Sequence, residues 1–208
     1  SNLVTQDPEL LGILQKDVVL QAGDMKVGFF GLLSPAVMRL TNRPEGVSFD
    51  PDFNTVAREM VDDLRRKGAD VIVLLSGLFE EENVQLARSV AGIHVITGCG
   101  APLKQTDEPI LIEDPEGSPT LLIWSGLGGQ FVGRLGIRMK DGQLDTRGTS
   151  WALLPVLGRA ISDPGVLEIA LEYENKLASA LSHVLGSFEH PLDTRSKTLR
   201  TGEAPIGN

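Results

Sequence analysis

Cysteine is almost missing from this chain: Cys99 is the only one. One thiol excludes an internal disulfide framework and a multi-cysteine zinc site, and it leaves the redox compartment undecided. Long hydrophobic runs are missing as well. No apolar stretch approaches the ~20 residues that span a bilayer, so no membrane span is expected. The opening Ser1-Asn2-Leu3-Val4-Thr5-Gln6 lacks the basic-then-apolar pattern of a signal peptide, and a serine at position 1 fits a processed or excised chain. Positive charge is scarce. Lys and Arg total 19 against 28 Asp and Glu, a net charge of −9, which argues against nucleic acid or an anionic membrane as partner. The only basic cluster, Arg65-Arg66-Lys67, has a local explanation as the end of a helix. Histidine is equally sparse: His94, His183 and His190 do not assemble a metal site by spacing.

What remains is an ordinary globular composition, 41% hydrophobic and 23% charged over 208 residues, enough for one domain or one domain and part of another. The chain is organised around Asp70 to Gly77. Val71 to Leu75 is an unbroken apolar run, which reads as a strand buried on both faces in the middle of a parallel sheet. Ligands in such sheets gather beyond strand carboxyl ends, so Ser76-Gly77-Leu78-Phe79 is the first place to look for chemistry. A second buried strand is expected over Lys26 to Leu33. Between these strands, Asp50-Pro51 has the N-cap and N1 residues of a helix, with Val56, Met60 and Leu64 on its apolar face and Gly68 as its stop. Arg65, Arg66 and Lys67 then complement the negative end of the helix dipole.

Glu80-Glu81-Glu82 suit the positive end of a following helix, with Val84, Leu86, Ala87 and Val90 on its buried side and Gly92 as its end. Reading these glutamates as a metal cluster is disfavoured because adjacent helix positions point to different sides. A third strand, Ile93 to Thr97, contains His94 and leads to Gly98-Cys99-Gly100-Ala101-Pro102. The alternation of strands and helices predicts right-handed crossovers and a parallel sheet. Upstream, residues 1–25 read as an extended lead-in, with a turn at Asp7-Pro8 and an edge strand at Val18-Val19-Leu20, and 34–49 read mostly as loop.

From residue 108 the pattern becomes antiparallel. A hairpin is expected over 109–113 and 120–124, and a second arrangement over Val132 to Lys140 and Gln143 to Leu154, turned at Asp141-Gly142. Ser125 to Gln130 is glycine-rich, but no helix pattern follows, so it reads as a connection between strands rather than a phosphate loop. Asp163-Pro164 opens a long amphipathic helix to about Leu185. The tail from Gly186 holds too few apolar residues to bury a core by itself.

Several stretches together resemble the 5′-nucleotidase group of the calcineurin-like metallophosphatases. They are Lys26 to Leu32, Asp50 to Val73, Ile93 to Gly98, Ser125-Gly126 with Gly129, Val132 to Gly136, and Arg200 to Glu203 with Gly207-Asn208. The resemblance implies an α/β fold: the C-terminal half of a metallophosphatase sandwich, a parallel βαβαβ unit followed by antiparallel strands. By it, residues 1–160 are the second half of the phosphatase domain, 161–186 a linker helix, and 187–208 the start of a C-terminal domain. It also implies hydrolysis of nucleotide phosphomonoesters with two divalent metals, zinc or manganese, and a periplasmic or extracytoplasmic site.

Two departures qualify those implications. Where the family's central strand ends in a Ser/Thr-His-Leu-Gly type loop, this chain has Gly77 in place of the metal-binding His. Where its second loop reads Gly-Gly-His-x-His, the ligand positions here are Gly100 and Pro102. Glycine and proline offer no side-chain donor to Zn²⁺ or Mn²⁺. The family's earlier Asp-x-His and Gly-Asn-His-Asp/Glu motifs have no counterpart in this sequence. The expectation is therefore a fragment without a metal cofactor, inert alone as a phosphatase, whose partners are the missing N-terminal part of its domain and a C-terminal domain. Two alternatives stay open. Cys99, beside the lost ligands, is a candidate metal thiolate or reactive thiol, or a small residue tolerated in a tight loop; and the chain is otherwise a binding module for a nucleotide or phosphate.

Overall fold

The computed structural model describes residues 1–39, 46–98, 105–126, 128–156 and 162–182. The chain divides into two units, 1–158 and 159–208. In chain order the first unit runs β1 (Leu3–Thr5), α1 (Pro8–Ile13), β2 (Asp17–Ala22), β3 (Met25–Leu33), a 3-10 turn at Pro35–Arg39, β4 (Val47–Phe49), α2 (Phe53–Arg66), β5 (Val71–Gly77), α3 (Glu80–Ser89) and β6 (Val95–Gly98). It continues through β7 (Ile110–Glu113), β8 (Pro119–Ile123), β9 (Phe131–Gly136), β10 (Met139–Lys140), β11 (Gln143–Leu144) and β12 (Ser150–Pro155). The second unit holds α4 (Pro164–Leu181), whose N-cap Asp163 accepts from Gly165 N at 2.9 Å and Val166 N at 3.0 Å.

The fold is mixed α/β. A six-stranded sheet has the order β2-β3-β5-β6-β8-β7, with β3, β5, β6 and β8 parallel and β2 and β7 antiparallel at its edges. The β3–β5 and β5–β6 crossovers carry α2 and α3, because the apolar spacing of each helix supplies one face to bury. On α2 that face is Ala57, Val61 and Leu64; on α3 it is Leu86 and Ala87, with Val90 at the cap. Both helices pack on the sheet face that carries Phe30, Leu32, Ile72, Leu74 and Ile96. Burying one such aliphatic side chain contributes roughly 1.5–3 kcal/mol, so this layer is a main source of stability. The opposite face, with Val71, Val73, Val95, Leu121 and Ile123, meets Leu135, Ile137, Met139, Leu144 and Trp151 from the β9–β12 region.

The central run behaves as a doubly buried strand from Val71 to Leu74, but Leu75 is 51% exposed. It lies on the face away from the helices, past the edge of the β9–β12 layer. Met25–Leu33 is buried only at alternate positions from Gly28 onward, since β3 has one well-covered face. Asp7-Pro8 is not a turn: Asp7 Oδ1 accepts from Glu9 N at 2.8 Å and the segment opens α1. Asp50 is not the cap of α2. Asp52 is, accepting from Thr55 N at 3.1 Å, while Asp50 donates from its backbone N to Asn2 O at 2.8 Å and accepts at its backbone O from Asn2 Nδ2 at 3.1 Å. The third strand begins at Val95, so His94 precedes it.

The segment from Gln143 to Leu154 is not one strand. Asp145 breaks it by accepting through its backbone from Gly148 and Thr149 and through its side chain from Arg147 N, after which β12 turns back to pair with β9. The segment read as loop over 34–49 contains the 3-10 turn and β4, which pairs with β1. Asp141 and Gly142 have φ of 52° and 78°, the left-handed pair that a two-residue hairpin turn requires. Helix α4 ends at Leu181, short of the expected Leu185.

Candidate functional site

Strand register brings the carboxyl ends of β3, β5 and β6 into line, with Leu32 opposite Ser76, Leu33 opposite Gly77, and Ser76 opposite Gly98. A groove of about 370 Å³ lies there, floored by Gly31, Leu33, Leu75, Gly77, Thr97 and Gly98. Gly98 is required by packing: a Cβ would stand 2.7 Å from Ser76 O and 3.2 Å from Trp124 Nε1. The groove is mostly apolar.

The polar groups around it are committed to one another. Ser76, 2% exposed, donates from Oγ to Asn83 Oδ1 at 2.6 Å and accepts from Leu78 N at 3.1 Å. Asn83, wholly buried on α3, donates from Nδ2 to Leu78 O at 3.1 Å. The loop expected to hold chemistry is thus tied to the following helix through Ser76 and Asn83. The N-terminus of α3 is also filled from within. Glu82 accepts from Phe79 N at 2.8 Å through Oε2 and from Ser34 Oγ at 3.0 Å through Oε1. A carboxylate already sits where a bound anion would take its hydrogen bonds.

Gly77 sits at the end of β5, at the place the resemblance assigns to a metal-binding His. It has no donor atom, and a Cβ built on it would meet the terminal Cδ2 methyl of Leu33. Among the described residues no group of three or more His, Cys, Asp or Glu side chains is placed to hold a metal ion. The residues present at this strand end do not fit a divalent metal. Cys99, Gly100 and Pro102, as well as His183, His190 and the tail from 187, lie outside the described residues.

A second polar cluster lies at the opposite, amino end of the sheet. His94 Nδ1 accepts from Ile72 N at 3.0 Å. Asp114, 7% exposed, accepts from Gly92 N at 3.0 Å through Oδ2, and from Glu116 N and Ser118 N, each at 2.9 Å, through Oδ1. The Arg65 guanidinium lies over Gly92, whose φ of 87° and lack of a Cβ make room for it. Burial first, and then Arg65, hold the His94 imidazole below its usual pKa against a smaller opposing pull from Asp114. Sequence reasoning missed Asn83 and Asp114. The signal for Asn83 is its position one helical turn before Ala87 on the apolar stripe; Asp114 lies between the two expected hairpin strands, and its link to Gly92 is tertiary.

No family model and no curated protein matches the sequence. Solved structures do. A 5′-nucleotidase precursor from Thermus thermophilus superposes with a TM-score of 0.74 at 26% identity over 88% of this chain. The chain carries part of a 5′-nucleotidase-type metallophosphatase fold. The NAD nucleotidase of Haemophilus influenzae matches over 92% of the chain at a TM-score of 0.70 and 17% identity, and the sulfate thiohydrolase SoxB of Thermus thermophilus over 89% at 0.66 and 23%. The chain spans 38%, 42% and 32% of those three proteins, so it corresponds to a fraction of each.

Proposed function

We propose that the chain is the catalytically inert second half of a 5′-nucleotidase-like phosphoesterase homologue. The observation that carries this reading is Gly77: the strand end that would present a metal ligand ends in a residue with no donor, beneath the Leu33 side chain. The committed bonds of Ser76 and Glu82 support it, because neither offers a free nucleophile or a free metal-binding carboxylate. With no metal donor set among the described residues, no step of hydrolysis is assigned to this chain.

Its partners in this reading are the remainder of the phosphatase domain and a C-terminal domain, with 161–186 as the linker helix and 187–208 as the start of that domain. The half-open sheet face supports the first of these. A second recess of about 290 Å³, lined by Val27, Phe29, Val73, Ile123, Leu135 and Trp151 among others, opens where the sheet packs on the β9–β12 layer and shares Thr97 with the first groove. A further β layer would cover both. An extracytoplasmic location belongs to the same proposal, by likeness to a 5′-nucleotidase precursor.

The test is hydrolysis of a nucleoside monophosphate by the purified chain with added Mn²⁺ or Zn²⁺. The expected rate equals that of the metal alone. A protein-dependent rate abolished by chelator overturns the proposal.

A further inference from the structure

We propose that His94 is an acid-sensitive latch between the central strand β5 and the start of β6, holding the sheet closed only while its imidazole is neutral. The geometry begins with the ladder. In a parallel pair, the N–H and C=O of one residue bond to partners two residues apart on the neighbouring strand. Ile72 O accepts from His94 N at 2.9 Å, so the acceptor for Ile72 N–H should be the carbonyl of residue 92. There the chain turns at Gly92, with φ of 87°, and the His94 ring supplies the acceptor instead, Nδ1 lying 3.0 Å from Ile72 N. Beyond it, His94 O accepts from Leu121 N at 2.9 Å, so this one residue joins β5 to β8 before β6 begins.

A backbone N–H can only donate. Nδ1 must therefore be unprotonated, with the ring proton on Nε2. Protonation would set two donors against each other at a wholly buried residue, since Ile72 is 0% exposed. The charged groups around the ring reinforce this choice. From α2, Arg65 faces His94 and disfavours a second positive charge. From the β7–β8 turn, Asp114 favours it, but both its oxygens are engaged by the amides of Gly92, Glu116 and Ser118. Asp24 from the β2–β3 turn and Asp70 from the entry to β5 line one adjoining recess, and Glu116 lines the other. Asp70 in turn accepts from Lys26 N at 2.7 Å.

The sign follows from linkage. The folded His94 binds its proton less readily than the open state, whose value is the ordinary 6.5. Closure is fully supported above that value and is lost as pH falls from it toward the lower folded value. Over that window the opening constant rises as pH falls, by at most about tenfold per pH unit for a single proton.

The test is amide hydrogen exchange of the whole chain by NMR, corrected for intrinsic rates, with His94→Asn beside the wild type. Asn places Oδ1 near the Nδ1 position and does not titrate. The expected result is a rise in the Ile72 opening constant, of up to about tenfold, between about pH 7.5 and about pH 5.5 in the wild type, and a flat profile in the variant. An unchanged wild-type profile, or the same rise in the variant, overturns the latch. Should the variant fail to fold, the imidazole nitrogen shifts of wild-type His94 decide. Nδ1 unprotonated at about pH 7.5, and titrating together with the Ile72 amide shift, supports the latch; a proton on Nδ1 at that pH refutes it.

Discussion

Replacing Asn83 by Ala tests whether the loop after β5 is structural. The side chain is wholly buried and makes two bonds inside a closed triangle, accepting from Ser76 Oγ at 2.6 Å and donating to Leu78 O at 3.1 Å. Truncation strands the Leu78 carbonyl and removes the acceptor of the Ser76 hydroxyl. Each buried polar group left unpaired costs about 1–3 kcal/mol, so the loss for the two should be roughly 2–6 kcal/mol. Urea unfolding followed by tryptophan fluorescence reports it as a lower midpoint at unchanged slope. Ser76→Ala should cost a similar amount, because Leu78 N loses its acceptor and Asn83 Oδ1 its donor. The double variant should fall short of the sum, with a coupling of at least about 0.5 kcal/mol. A loss below about 0.5 kcal/mol for Asn83→Ala would refute the account, leaving Ser76 free to act on something outside the fold.

Asp114→Ala should destabilise by roughly 3 kcal/mol or more, since three amides lose a carboxylate acceptor. Asp114→Asn should lose about half of that, because Oδ1 keeps Glu116 N and Ser118 N while the new NH₂ group opposes Gly92 N; denaturant titration of both variants orders them, and equal losses would contradict the assignment. Gly98→Ala should cost about 1–3 kcal/mol, as its Cβ meets the fixed Ser76 carbonyl rather than a side chain that can swing away. Thermal unfolding checks this, and a neutral result would mean that β5 and β6 separate more readily than their register implies.

Much of the sheet was legible because its signals are local. Four consecutive buried apolar residues on β5, the helix-spaced stripes of α2 and α3, and Asp141-Gly142 each depend on neighbours in sequence, and each produced the expected element. Helix starts were less legible. Asp-Pro opens α1 and α4 directly, yet at 50–51 it stands outside the helix because Asn2, distant in sequence, binds residue 50 and passes the cap to Asp52. The candidate site was less legible than the sheet. Gly77 marks a missing donor without needing coordinates, whereas the reason Ser76 is unavailable lies in Asn83, and the reason a ladder closes at Ile72 lies in a side chain standing in for a carbonyl. Hydrophobic periodicity carries no trace of either bond.

The most direct test of the central claim, a metallophosphatase-type fold without its metal chemistry, is metal content by mass spectrometry on chain purified without chelator. Zinc and manganese should be far below one equivalent in the wild type and equally low in Cys99→Ser. A full equivalent in the wild type that survives dialysis would contradict the account, and its loss in Cys99→Ser would identify the thiol as the ligand that replaced the missing donors.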